Sequence, residues 1–269
     1  MGIFMGEVIV ITSGKGGVGK TTSAANIGCA LAKEGKKVML LDADVGLRNL
    51  DIIMGLDNSV VFDFSDVLDE NCRLRQAVVR DKRFDGLYFL AASQTKDKNE
   101  IDIEKMKMLT DELKESYDYV IIDCAAGIEH GFQMACEGAD RAIVVATPEI
   151  TSVRDADRVL ARLEVLGKKA EIVINRVKLS AIRRGGALGI DEIIELLAAD
   201  LIGIVPDDDS IIAAANKGEP AVLNKSSRAG QAYTNIAKRI MGEKVPVMDL
   251  EDDRSIGFKL KRLFSRKAI

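Results

Sequence analysis

The sequence predicts an α/β fold, a doubly wound and mostly parallel sheet with helices on both faces. Three observations carry that prediction. Short runs of Val, Ile and Leu alternate along the chain with stretches of helical spacing, the pattern of parallel strands joined by crossover helices. Hydrophobic residues make up 47% of the 269 positions while aromatics make up only 4%, which suits strands built from aliphatic side chains and covered on both sides. A glycine-rich loop joins the first apolar run to the first helical stretch, and in such sheets ligands bind beyond the carboxyl ends of the strands.

The elements follow in order. Residues 8–11 read as the first strand and 23–33 as the first helix. Apolar runs at 37–42 and 86–92 are the next two strands, and helical spacing returns at 103–116. Further short apolar runs at 119–123, 141–146, 170–174 and 201–205 are each separated by a helical stretch. No internal repeat, low-complexity segment or Pro/Ser-rich linker interrupts them, so residues 1–248 are expected to form one domain. Residues 249–269 are expected to form an acidic linker followed by an amphipathic helix.

Gly14-Lys15-Gly16-Gly17-Val18-Gly19-Lys20-Thr21-Thr22 contains the spacing G-x-x-x-x-G-K-[ST]. Glycines there let backbone N–H groups converge on phosphate oxygens, and the helix start adds partial positive charge. Lys20 is expected to reach the β- and γ-phosphates and Thr21 to hold Mg²⁺. Val120 to Asp123 is an apolar run ending in an acid, which sets a carboxylate beside that metal. Asp42 and Asp44, two positions apart at the end of the second strand, can point into the same pocket; the competing reading is a solvated polar turn. A guanine-reading N-K-x-D is missing, since Asn224-Lys225-Ser226-Ser227 has Ser where the acid belongs, so adenine is favoured.

Lys15, a second lysine inside the loop, makes the motif similar to the deviant Walker A loop, K-G-G-x-G-K-[ST], of the MinD/ParA family of P-loop ATPases. The resemblance implies a homodimer with ATP, in which Lys15 contacts the nucleotide of the opposite copy; neutralising phosphate in cis is the alternative. It further implies that Asp42 helps hold the metal shell with Thr21 and Asp123, and that Asp44 orients the attacking water, which suffices for slow hydrolysis. Asp123-Cys124-Ala125-Ala126-Gly127 matches the family's switch II, with Ala125 where proline is usual, so the segment has one fixed φ fewer and Gly127 as its hinge. Asn175 with Arg176, and Pro206 with Asp208, resemble the adenine-contacting positions, Arg176 being placed to stack on the ring; both pairs can also be read as strand-end punctuation.

The likeness extends through residues 46–51, 92–95 and 151–158. It implies two protein partners: a MinC-type division inhibitor docking near 152–158 and a MinE-type activator of hydrolysis.

The charge is uneven. Residues 255–269 carry Lys259, Lys261, Arg262, Arg266 and Lys267 and no acid, leaving 33 basic against 42 acidic side chains before them, a net −9. On a helix Ile256, Leu260, Leu263 and Phe264 share an arc of about 100°, opposite Lys259, Arg262 and Arg266 and with Phe258 off the arc. A basic amphipathic helix suits an anionic phospholipid membrane surface; a helix packed on the body or a solvated end are the alternatives. Ile256, Phe258, Leu260, Lys261, Arg262, Leu263 and Phe264 are the expected membrane residues. The segment resembles the family's membrane-targeting sequence G-F-L-K-R-L-F, with Lys259 as an extra residue, which implies a cytoplasmic protein peripheral on the inner membrane. No specific nucleic acid is expected of so acidic a body, which opposes a ParA-type DNA-partitioning role.

No apolar run approaches the roughly 20 residues of a membrane span, and no signal-peptide pattern is present. Cys29, Cys72, Cys124 and Cys136 lack metal-ligand spacing, which opposes an iron-sulfur reductase of the same fold; Cys124 is expected to be a small buried thiol. His130 is expected to be an exposed helix residue.

Overall fold

The computed structural model describes residues 5–250. The expected membrane residues, Ile256 to Phe264, lie outside the described residues. β1 (Glu7–Thr12) leads into α1 (Lys20–Lys33) and β2 (Val38–Asp42). Three short helices follow, α2 (Leu50–Met54), α3 (Phe64–Leu68) and α4 (Leu74–Ala77), then β3 (Val79–Arg80) and β4 (Leu87–Leu90). After α5 (Ile103–Ser116) come β5 (Tyr119–Asp123), α6 (His130–Glu137), β6 (Arg141–Ala146), α7 (Ile150–Val165) and β7 (Lys169–Val177). The remainder is α8 (Leu179–Ile182), α9 (Ile190–Leu197), β8 (Asp200–Pro206), α10 (Ser210–Ala215) and α11 (Arg228–Ile240).

One sheet runs in the order β3-β4-β2-β5-β1-β6-β7-β8, parallel throughout except where β3 meets β4. This is the doubly wound fold that the strand–helix alternation predicts. Because successive side chains on a strand point to opposite faces, Val8, Val10, Val120 and Ile122 pack with α5, α6, α7 and α9. Ile9, Ile11, Leu40 and Ile121 pack against α1 and α11 on the other side. The N-cap carboxylates of Asp63 and Asp102 accept backbone N–H groups at the starts of α3 and α5, the usual way to satisfy a helix's first donors.

Two departures from the expected elements have physical causes. β3, only two residues long, pairs antiparallel to β4 at the sheet edge, too short to leave a strand-length pattern. β7 continues to Val177, with a register irregularity between Ile174 and Val177 and Arg176 at φ +55°. That bulge carries the strand through positions where the apolar run stops, and a bulge re-aims the side chains it holds.

An arginine clamp locks the far loops. Arg83 donates to Asp81, itself 1% exposed, and to the carbonyls of Gly218 at 2.6 Å and of Met54. It thereby closes over the touching backbones of Gly55 and Gly218, where a Cβ on Gly218 would lie 2.6 Å from the Gly55 Cα. Arg83→Ala leaves a buried carboxylate unpaired and should cost about 3 kcal/mol, read as a lowered urea midpoint; an unchanged midpoint would show that water replaces the guanidinium.

Candidate nucleotide-binding site

The tips of β1, β2 and β5, adjacent in the sheet, carry the glycine-rich loop and the candidate carboxylates. The loop turns at Gly19, whose φ of +100° disfavours any side chain and whose added Cβ would lie 2.3 Å from the Asn175 amide nitrogen. At Gly14 a Cβ would lie 2.2 Å from the Asp155 carbonyl, so the loop's entry is pressed onto α7. Helix α1 begins at Lys20 with no side-chain cap and no acid in its first turn. Its first N–H groups are therefore open to an anion. The loop, Lys20, Thr21 and Thr22 line one side of an 850 Å³ crevice; Asp44 and the segment after it line another, and Ala125 with Ala126 close it.

Asp42 and Asp123 are register partners on β2 and β5 and are both buried. Asp42 accepts the backbone N–H groups of Asp44 at 3.0 Å and Leu50 at 3.3 Å. Burial outweighs those bonds and pushes its carboxyl from 3.8 to about 7. Burial, then the neighbouring Asp42 charge, pushes Asp123 well above the ordinary carboxylate range, against the opposing pull of Thr21 and Lys20. One Asp123 oxygen, Oδ1, is buried without a hydrogen-bond partner. Two crowded carboxylates, an orphaned oxygen and a threonine hydroxyl form a donor set that fits a small hard cation. Among the described residues no group of three or more His, Cys, Asp or Glu side chains converges on a metal, so such a cation would complete its shell with phosphate and water oxygens, the habit of Mg²⁺.

Lys15 leaves the loop in the opposite direction. Its Nζ donates to Glu149 Oε2 at 2.9 Å and to Thr151 Oγ1 at 3.2 Å, at the start of α7. Sequence reasoning had no means of finding that pair, 134 positions apart. Both side chains are well exposed, 40% and 63%. Two exposed apolar residues, Leu47 and Ile52, stand on the crevice lining.

The β7 bulge separates the two residues it holds. Asn175 is buried and turned to the loop, donating to the Val18 carbonyl at 2.8 Å and accepting the Arg176 N–H at 2.9 Å. Arg176 is exposed and lines both the crevice and an adjoining 170 Å³ cavity with Pro206 and Asp208. Asp208 is engaged at both oxygens, by the N–H of Ser210 and by Ser227 Oγ and the Ala229 N–H. Burial works to raise its carboxyl, and these bonds together hold it below the usual value. It thus ties α10 to the start of α11. Tyr233, on that helix, lines the same cavity and meets Ser23 Oγ of α1 at 3.1 Å.

In the switch II segment Gly127, at φ +98°, donates its N–H to the Ser13 carbonyl at 2.9 Å, which links it to the loop's entry. Cys124 is fully buried. His130 departs from the expected exposed position: it is half-buried, its Nε2 3.0 Å from the Ile101 carbonyl, because α6 starts under the turn that precedes α5.

Residues 9–221 match the model of the CobQ/CobB/MinD/ParA nucleotide binding domain. The chain is 52% identical to the septum site-determining protein MinD of Bacillus subtilis over 264 residues, 97% of this chain and 98% of the relative. Its fold is similar to that in the MinC:MinD cell division protein complex of Aquifex aeolicus, at a TM-score of 0.85 and 48% identity over 90% of this chain and 99% of that one. It is also similar to the septum site-determining MinD complexed with Mg-ADP from Pyrococcus horikoshii, at 0.80 and 29% over 90% of this chain and all of that one.

The carboxylate pair sets a pH dependence in ligand-free protein. Asp42 binds a proton more tightly folded than unfolded, so the stability it contributes is complete below about pH 4 and is lost as the pH rises to about 7. The unfolding free energy from urea curves should fall across that window by an amount on the order of 4 kcal/mol, and the fall should shrink in Asp42→Asn. A flat wild-type profile would mean that burial does not hold the Asp42 proton.

Proposed function

The chain belongs to the MinD/ParA family of nucleotide-binding ATPases, in its septum site-determining branch, and on that premise we propose that ATP drives two copies together face to face. The dimer attaches to the inner membrane surface through its C-terminal amphipathic segments and recruits a MinC-type inhibitor of division. ATP hydrolysis, stimulated by a MinE-type activator, then releases it, so that the division site is positioned. The observation that carries this reading is the crevice lined by Lys20, Thr21 and Asp44, with Asp42 and Asp123 buried side by side at the adjacent strand tips and exposed Leu47 and Ile52 on its lining. Apolar residues gathered at the rim of a polar site suit a second protein surface.

Each residue has a defined task. The loop N–H groups and Lys20 hold the triphosphate. Thr21, Asp42 and Asp123 are the residues that would hold Mg²⁺, which supplies charge neutralisation to the phosphates when bound. Asp44, half-buried at the crevice, orients the attacking water; positioning and electrostatics are most of what phosphoryl transfer needs. Arg176 stacks on the base. Asn175 serves the same site one step removed, by bracing the loop through Val18.

Lys15 must leave Glu149 and Thr151 to reach a partner's nucleotide. A solvent-exposed ion pair of this kind is worth only about 0–1 kcal/mol, so exchanging Glu149 for a triphosphate across the interface is downhill. The MinC:MinD complex of the Aquifex relative supports the inhibitor as partner, and the Mg-ADP complex of the Pyrococcus relative supports nucleotide and Mg²⁺. For the membrane, one basic amphipathic segment binds weakly because ordering it offsets most of its gain. Two on a dimer bind by effective concentration, about 10²-fold or more tighter, which makes dimerisation a membrane switch.

Lys15→Ala is expected to stay monomeric with ATP in light scattering after size exclusion, where the wild type doubles in mass; a variant that still doubles removes the lysine from the cycle. A chain shortened to residue 254 should dimerise with ATP yet fail to pellet with anionic liposomes that carry down the full chain. Equal pelleting of both would take the tail out of the mechanism.

A further inference from the structure

The Arg83 clamp stands far from the phosphate-binding loop in sequence, yet both segments that it joins belong to walls of the candidate site. Its guanidinium donates to the carbonyl of Met54, the last residue of α2, and to that of Gly218, in the turn after α10. Ile52 and Ile53 of α2 line the crevice. Ile211 and Ile212 of α10 line the adjoining 170 Å³ cavity, beside Arg176 and Asp208. One side chain therefore holds two walls at a fixed separation.

The junction is shaped for close contact. A Cβ on Gly55 would lie 2.9 Å from the Gly218 carbonyl oxygen, and one on Gly218 would lie 3.0 Å from the Gly55 nitrogen, so the two backbones meet with no side chain between them. Each wall is also fastened at its other end. Asp42 accepts the N–H of Leu50, the first residue of α2. Beyond the turn after α10, Asn26 of α1 accepts the Val222 N–H at 3.1 Å and Lys33 donates to the Val222 carbonyl at 2.7 Å. Arg83 itself is held by Asp81, whose two oxygens take its Nε at 3.0 Å and its Nη2 at 2.7 Å. A planar fork of donors can serve that carboxylate and two carbonyls at once, whereas a lysine ammonium can pair with the carboxylate but cannot span all three.

We propose that Arg83 is a positioning residue for the nucleoside half of the nucleotide: by tying α2 to the turn after α10, it sets the width of the base-side cavity in which a purine meets Arg176. The inference rests on the nucleotide reading above and deepens it by dividing the labour. Phosphate recognition belongs to the glycine-rich loop, which Asn175 and α7 brace. Base recognition depends on the clamp, which acts through the isoleucines of α2 and α10. A clamp needed only for stability could be replaced by any cation that pairs with the buried Asp81 carboxylate; a clamp that positions walls could not, because the spacing is set by the two carbonyl contacts.

The test compares ADP, which carries base and phosphates, with inorganic pyrophosphate, which carries phosphates only, each titrated calorimetrically with Mg²⁺ into the full chain. R83K keeps a cation beside Asp81 and should recover most of the stability that Arg83→Ala loses, yet bind ADP about tenfold more weakly than wild type, with its pyrophosphate affinity unchanged. G218A, which wedges the two backbones apart with Arg83 in place, should show the same selective loss and decides the matter if R83K does not fold. Wild-type ADP affinity in a folded variant overturns the positioning role and leaves the clamp as a stabilising device. An equal loss of ADP and pyrophosphate affinity overturns it too, by showing a general loosening of the site, and a junction at which neither variant folds assigns the clamp to folding instead. If the wild-type chain binds no ADP, the nucleotide reading falls and this inference falls with it.

Discussion

Two carboxylates that cannot both be comfortably ionised sit at the centre of this fold. Asp42 and Asp123 are side by side because β2 and β5 pair in register to their last residues, and both are out of reach of bulk water. In a folded chain such crowding is a cost, visible in an Asp42 carboxyl pushed up by burial and an Asp123 carboxyl pushed up by burial and then by Asp42. Proteins retain costs of this kind where a ligand relieves them. A divalent cation beside Thr21 would turn the repulsion into attraction, which is what the proposed metal site would gain from the pair.

The rest of the architecture shapes the crevice beside that pair. The loop between β1 and α1 owes its shape to contacts far away in sequence: α7 presses on Gly14, and Asn175, turned inward by the β7 bulge, braces the carbonyl of Val18 and leaves room only for glycine at position 19. Asp208 bolts the adjoining cavity to the start of α11, and α11 in turn leads to the pinned stretch that ends at Leu250. The crevice and the pinned stretch are thus linked by one helix and a few hydrogen bonds.

Much of this was legible in the sequence, for a local reason. A phosphate-binding loop is a contiguous pattern, and an apolar run ending in an acid reports both a buried strand and the carboxylate at its tip; hence the strands at 119–123 and 141–146 and the helix at 103–116 coincide with β5, β6 and α5. What was illegible is non-local. That β5 lies between β1 and β2, making Asp42 and Asp123 neighbours, is a matter of strand order. The Lys15–Glu149 pair spans 134 positions, and the Arg83 clamp joins loops equally distant. The bulge ran against local preference, since an arginine at positive φ is uncommon and polar Asn175 and Arg176 read as the end of a strand. His130 was misplaced because a lone polar residue at a helix start carries no sign of the turn that folds over it.

The claim on which the account depends is that the buried carboxylates hold a metal together with nucleotide. Isothermal titration of ATP into the full chain, with and without Mg²⁺, addresses it directly when wild type is compared with Asp123→Asn. The account predicts at least a roughly tenfold gain in affinity with Mg²⁺ for wild type, a difference of about 1.4 kcal/mol, and little or no gain for the variant. An Asp123→Asn chain that folds normally and keeps the full Mg²⁺ effect would contradict it.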